Sequence, residues 1–208
     1  RFKDMITKEQ FESGYTYLEY RNLVDKKLAK GETTGPKNSE EYVQHTKMNV
    51  HRMNRWDKSI ELSSDLKQKL ESLKCPVNWL VLAEGWCADA SQNLPFLNKM
   101  AESSPNIQLR ILLRDQNLDV MDQYLTNGGQ AIPKLVVLDS TMNEIGTWGP
   151  RPAEIQEMVR VGKHEKGMNS EEIGIMVQKW YAKDKGKTIE NEMIEIIANL
   201  DCVLDERP

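Results

Sequence analysis

Apolar positions along the 208-residue chain change their period several times, and the changes divide it into elements. Near the amino end, apolar or aromatic residues fall at Phe11, Tyr15, Leu18, Val24 and Leu28, the spacing of a helix. Thr7-Lys8-Glu9-Gln10 has the form of a capping box that opens it, and Gly31 to Pro36 closes it as a loop. A second helix, capped by Asn38 or Ser39, carries Tyr42, Thr46, Asn49, Val50, Met53 and Trp56. A third, capped by Ser63 or Ser64, turns Leu66, Leu70 and Leu73 inward and stops at Cys75-Pro76. The helical period is then lost. Val77-Asn78-Trp79-Leu80-Val81-Leu82-Ala83 is a short apolar run of the kind that forms a buried strand. Helical spacing returns through Leu94, Leu97, Met100 and Ala101.

The second half repeats the alternation. The pattern predicts strands over Lys134–Asp139 and Glu144–Trp148, joined by the turn Ser140-Thr141-Met142-Asn143. In an antiparallel pair the end of the second strand lies beside the start of the first, so Trp148 to Pro152 should lie beside Pro133. Pro152 suits the first turn of a helix carrying Ile155, Met158 and Val159 and ending near Gly167. Another starts at Ser170 with Ile173, Met176, Val177 and Trp180 on one face, and Lys183 to Gly186 breaks it. A last helix, Thr188–Leu200, carries Ile189, Met193, Ile196, Ile197 and Leu200.

Composition adds exclusions. Net charge is −4 with acids and bases mixed, and no basic block points to nucleic acid. No apolar run approaches 18 residues, so no transmembrane helix and no membrane partner are expected. Arg1 to Met5 is not a signal peptide, and the missing initiator Met leaves a removed leader open. Three widely spaced cysteines do not make a disulfide framework, which points to the cytoplasm. Cys75 is expected to be a small buried hydrophobe at the far end of the strand that delivers Cys87, and Cys202 sits in a tail. His45 and His51 are not spaced as helix-borne metal ligands, and His164 is remote, so no metal or cofactor is expected. Gly186-Lys187-Thr188 is like the tail of a P-loop, but Tyr181 stands where its glycine is required, which rejects nucleotide binding.

Chemistry concentrates where the first strand hands over to a helix, in Glu84-Gly85-Trp86-Cys87-Ala88-Asp89-Ala90. A cysteine at a helix amino terminus lies near unpaired backbone N–H groups, which favour the thiolate, the nucleophilic form. Asp89 opposes this. At about 7 Å, with an effective dielectric between 20 and 80, it costs the thiolate roughly 0.6–2.4 kcal/mol. The helix terminus returns about 0.3–1 kcal/mol, sometimes 2. The two are comparable, so the sequence does not fix the pKa of Cys87, and Asp89 also reads as a first-turn helix stabiliser.

Trp86-Cys87, the helix proline Pro95, and Asn127-Gly128-Gly129-Gln130-Ala131-Ile132-Pro133-Lys134 leading into Leu135-Val136-Val137-Leu138 together resemble the thioredoxin family. Arg110 to Asn117 resembles that family's third strand and following turn, and the likeness covers residues 60–165. It implies an α/β thioredoxin-like fold: a central mixed sheet with helices on both faces. The implied organisation is a helical extension over 1–58, a thioredoxin-like domain over 59–167, and a carboxyl-terminal helical extension over 168–208 packed on it. It implies that Cys87 is the catalytic residue, that Ile132-Pro133 is a cis bond facing it, and that this backbone edge is where a peptide substrate binds. Trp86, Asp89, Lys134 and Arg151 are the expected neighbours: Trp86 on the rim, Lys134 offsetting Asp89 or facing solvent, Arg151 stabilising a thiolate or lying on an exposed loop. Glu84 matches an acid the family often shows there and is expected on the surface.

The chain departs from the family twice. Ala90 replaces the resolving cysteine, and Leu80 or Val81 replaces its buried acid. A dithiol reductase is therefore excluded unless another thiol serves. Two function classes remain: monothiol thiol–disulfide exchange through Cys87, with protein or small-molecule thiols and disulfides as partners, and a non-catalytic peptide-binding module. A glutaredoxin-like cluster-binding role is a third. Asn49, Arg52 and Arg55 share an arc of the second helix, either as an anion or partner site beside the cysteine or as a solvated polar face.

Overall fold

The computed structural model describes residues 6–36 and 38–200. Its amino-terminal part is three helices: α1 (Lys8–Glu12), α2 (Tyr17–Leu28) and α3 (Glu40–Ser59). The single helix expected from Thr7 to Leu28 is in fact two. Thr7 and Gln10 form the anticipated capping box, but Thr16 and Glu19 form a second one that restarts the helix. Between them Tyr15 bridges the backbone of Ile111, which holds the chain extended. The restart also turns Leu18 outward, where it is 69% exposed rather than packed.

Next come α4 (Ser64–Ser72), β1 (Val77–Ala83), α5 (Ala88–Glu102) and β2 (Ile107–Leu113). A short 3₁₀ turn (Arg114–Gln116), α6 (Leu118–Met121), β3 (Lys134–Leu138) and β4 (Glu144–Trp148) follow. Ser39 and Ser63 are the caps of α3 and α4. The sheet order is β2-β1-β3-β4, with β1 parallel to β2 and antiparallel to β3. It is an α/β fold of thioredoxin-like type with extra helices at both ends. Nearly every residue of β1 and β3 is buried, so helices cover both faces of the central strands. This double burial is why Val77 to Ala83 reads as a continuous apolar run rather than an alternation.

The chain ends in α7 (Ala153–His164), α8 (Ser170–Asp184) and α9 (Lys187–Ala198). Ile189, Met193 and Ile197 of α9 join the main core. Ile155 and Val159 of α7 instead pack with Ile173, Val177 and Tyr181 of α8 in a second, separate apolar cluster. The α7–α8 hairpin is thus an excursion between β4 and α9.

Cys75 overturns the expectation of a buried free thiol. It lies half-buried in the turn before β1, packed against the main core, and is disulfide-bonded. Cys202 lies outside the described residues. Among the described residues no helix is long and apolar enough to cross a membrane.

The β3–β4 pairing sets Trp148 opposite Leu135 and so brings Gly149 against Pro133. Gly149 has φ +104°, and a Cβ there would collide with the Pro133 carbonyl oxygen. Gly149→Ala should therefore lower stability by about 1–3 kcal/mol through backbone strain and this clash, read as a shift in the urea midpoint.

Candidate active site

Cys87 is the N-cap of α5. Its backbone is extended, at φ −77° and ψ 116°, and its Sγ accepts from the Ala90 N–H at 3.4 Å. Across the site the thiol donates to the Ile132 carbonyl at 3.2 Å. The Ile132–Pro133 bond is cis. The cysteine and the strand edge before β3 are thus in direct contact.

The loop that presents Cys87 is pinned by the amino-terminal segment. The Gly85 N–H donates to Thr34 Oγ1 at 2.7 Å, and the Gly85 carbonyl accepts from Asn49 Nδ2 at 2.9 Å. Asn49 Oδ1 accepts from both Ser91 Oγ and Arg52. About two turns further along α3, Trp56 Nε1 donates to Gln92 Oε1 at 2.6 Å. Asn49 is fully buried, so it clamps α5 to α3 and does not belong to a solvated face. Arg52 is spent on Asn49 and Met48, and Arg55 stacks over the Trp56 ring.

Burial decides the electrostatics. Cys87 is 8% exposed. Its pKa is pushed up to about 12, first by loss of solvent and then by the nearby Asp89 carboxylate. The N–H groups of Ala90 and Asp89, and Arg151, pull the other way and do not prevail. The helix terminus therefore fails to make a thiolate, because desolvation outweighs a fraction of a dipole charge.

Asp89 is buried too. Its Oδ2 pairs with an Arg151 guanidinium nitrogen at 2.7 Å, and Tyr181 donates its hydroxyl to Oδ1 at 3.0 Å. Asn93 Nδ2 donates in turn to the Tyr181 oxygen at 2.9 Å. Arg151 is thus neither a free loop arginine nor a direct partner of the sulfur. It neutralises the acid that opposes the thiolate. Lys134 is half-buried at the head of β3. Trp86 packs edge-on against Tyr42 at 5.3 Å, and the Arg114 guanidinium stacks over it at 4.8 Å.

Glu84 corrects the expectation of an exposed acid. It is fully buried, its Oε1 accepts from the Asp115 N–H at 2.9 Å, and burial raises its pKa. The Thr34 hydroxyl also bonds the Glu84 carboxyl, whereas Asp115 Oδ2 has no hydrogen-bond partner among the described residues, and both acids approach the same glycine, Gly35. Thr34, Tyr181 and Asp115 are the neighbours that pattern reading missed. Asn49 and Glu84 stand out in the sequence, but each for another role.

A family model described as Thioredoxin matches residues 35–168, well over half of the chain. No curated protein matches it. A crystal structure of a protein of unknown function from Pseudomonas aeruginosa superposes with a TM-score of 0.64 at 20% identity, covering 93% of this chain and 98% of that one. An HIV epitope-scaffold gives a TM-score of 0.56 at 20% identity, covering 88% and 98%. At this identity the likeness to both is one of fold.

Two substitutions follow. Asp89→Asn removes the charge that opposes the thiolate and leaves Arg151 unopposed, so the pH midpoint of Cys87 alkylation should fall by about one unit or more. It should also cost about 3 kcal/mol in a denaturant titration, the low end for breaking a buried pair, because Arg151 keeps 23% of its side-chain exposure. A raised carboxyl pKa at Glu84 means that the folded state holds its proton more tightly than the unfolded chain. That contribution is complete below pH 4.5 and is lost as pH rises. Glu84→Gln should therefore stabilise the protein by about 1 kcal/mol near neutral pH and flatten stability against pH above 4.5. Its amide can still accept from the Asp115 N–H and can donate to the orphaned Asp115 oxygen. Urea midpoints across pH check this.

Proposed function

The chain belongs to the thioredoxin family, and from that membership we propose that it carries out monothiol thiol–disulfide exchange through Cys87. The observation that supports this reading is the seat of the sulfur: at the N-cap of α5, hydrogen-bonded to the carbonyl of Ile132 at 3.2 Å. A substrate disulfide that docks along the Ile132–Pro133 edge meets Cys87 first.

The step balances without a second protein thiol. The Cys87 thiolate attacks one sulfur of the substrate disulfide, forming a mixed disulfide and releasing the other sulfur as a thiolate. An external thiolate then attacks the Cys87-bound substrate sulfur. It forms a new disulfide with the substrate and returns Cys87 as thiolate. The electrons come from the external thiol, and the cytoplasm is the compartment rich in such thiols. The disulfide at Cys75 pulls the other way, since such bonds persist in oxidising compartments. Trp86 and Arg114 form the rim, and Arg151 with Tyr181 holds Asp89 back from the sulfur. Substrate and reductant are protein or small-molecule thiols and disulfides, and no cofactor is required.

A second reading has its own support. At a pKa near 12, roughly one molecule in 10⁵ carries the thiolate at pH 7. A thiol this protected suits a module that grips a peptide at the Ile132 edge without turnover. Intact-mass analysis after incubation with an excess of a small aromatic disulfide separates the two. Exchange predicts a single adduct on the folded protein that external thiol discharges and that Cys87→Ser abolishes, formed faster as pH rises. An adduct that forms only after unfolding in urea supports the binding module and refutes exchange.

A further inference from the structure

The α7–α8 hairpin carries an apolar face that the other described residues leave open. Its own core is only five buried residues, separate from the main core. On one side of it lies a groove of about 590 Å³ whose apolar lining includes Met158, Met168, Ile175, Met176 and Trp180. Ile175 is 49% and Met158 38% exposed. Methionines dominate this lining, and their flexible side chains suit a contact surface.

Charge along α8 is ordered with respect to this face. Glu172 and Lys179 both line the groove, one on each side of the Ile175-Met176 centre. A two-fold axis between residues 175 and 176 that sets two α8 helices antiparallel puts Glu172 of each copy beside Lys179 of the other. The same operation brings Ile175 against Met176. A two-fold contact must be self-complementary, and the four central positions of this stripe are: Glu172 meets Lys179 and Ile175 meets Met176.

We propose that this face is the interface of a homodimer, in which two α7–α8 hairpins pack as an antiparallel four-helix bundle. The occupant is a second copy of this chain. Helices of 12 and 15 residues, at about 1.5 Å per residue and about 10 Å apart, present a face of roughly 20 by 20 Å. That is small against the ~800 Å² per partner of a standard interface, so the dimer is a weak, concentration-dependent one. The interface lies outside Cys87 and its contacts, so the proposal stands independently of the exchange reading.

Sedimentation equilibrium of the full chain across a micromolar concentration series tests it. A monomer–dimer equilibrium is expected. Ile175→Glu should abolish the dimer while leaving the far-ultraviolet circular dichroism unchanged, because the side chain is half exposed. Lys179→Glu alone should weaken association at least tenfold, by placing acids opposite each other. The double exchange Glu172→Lys with Lys179→Glu should restore it to near the wild-type level. A wild-type chain that stays monomeric at the highest concentration overturns the proposal. So does a dimer that ignores Ile175→Glu, or one that the double exchange does not restore. Should Ile175→Glu fail to fold, the two charge variants carry the test alone, both positions being exposed; because Glu172 also accepts from the Asn169 N–H at 2.8 Å, circular dichroism of the double exchange confirms that α8 still forms.

Discussion

Removal of Cys87 from water is the constraint on which the rest of this structure depends. A sulfur at the head of a helix is ordinarily helped toward the thiolate by the first N–H groups. Here those groups are present, with the Ala90 N–H aimed at Sγ, yet burial pushes the thiol pKa up to about 12. The helix terminus supplies a fraction of a charge, whereas burial removes the whole solvation of an anion. Asp89, two residues on, adds repulsion. The thiol is then satisfied as a donor, to the Ile132 carbonyl.

Each neighbouring device follows from that constraint. A buried carboxylate beside a buried thiol needs a counter-charge, and Arg151 supplies it from the loop that β4 delivers. Tyr181 completes the coordination of Asp89 from α8, so the carboxyl-terminal extension is tied directly to the site. The amino-terminal extension is tied in from the other side, through Asn49 and Thr34 on Gly85 and through Trp56 on Gln92. The helices at both ends thus fix the helix that carries the cysteine. Their polar anchors also account for much of the buried polarity around α5.

What the sequence disclosed depended on whether a feature was local. Val77 to Ala83 was legible because a strand covered on both faces must be apolar throughout. The place of Arg151 was legible because a short hairpin turn sets its own register, which carries the end of β4 back to Pro133. The break at residues 13–16 was missed although a second Thr-x-x-Glu signature stood there, because the apolar spacing of Phe11, Tyr15 and Leu18 runs straight through it. Glu84 was misread because an acid is an exposed residue by default. Its hydrogen-bond partner, the N–H of Asp115, lies 31 positions away and is brought to it by the pairing of β1 with β2. Tyr181 is 92 positions from Asp89, and nothing in its helical stripe distinguishes it from packing. Asn49 drew notice as one of a polar trio, but its burial is a property of how α3 lies on α5.

The most direct measurement is an ultraviolet titration of thiolate absorbance, taken as the difference between the wild-type protein and Cys87→Ser under non-denaturing conditions. The account predicts no plateau of thiolate signal from Cys87 through pH 10, the absorbance of the folded protein rising only above it. A plateau reached in the folded protein below about pH 8.5, the ordinary value for a free thiol, would contradict it.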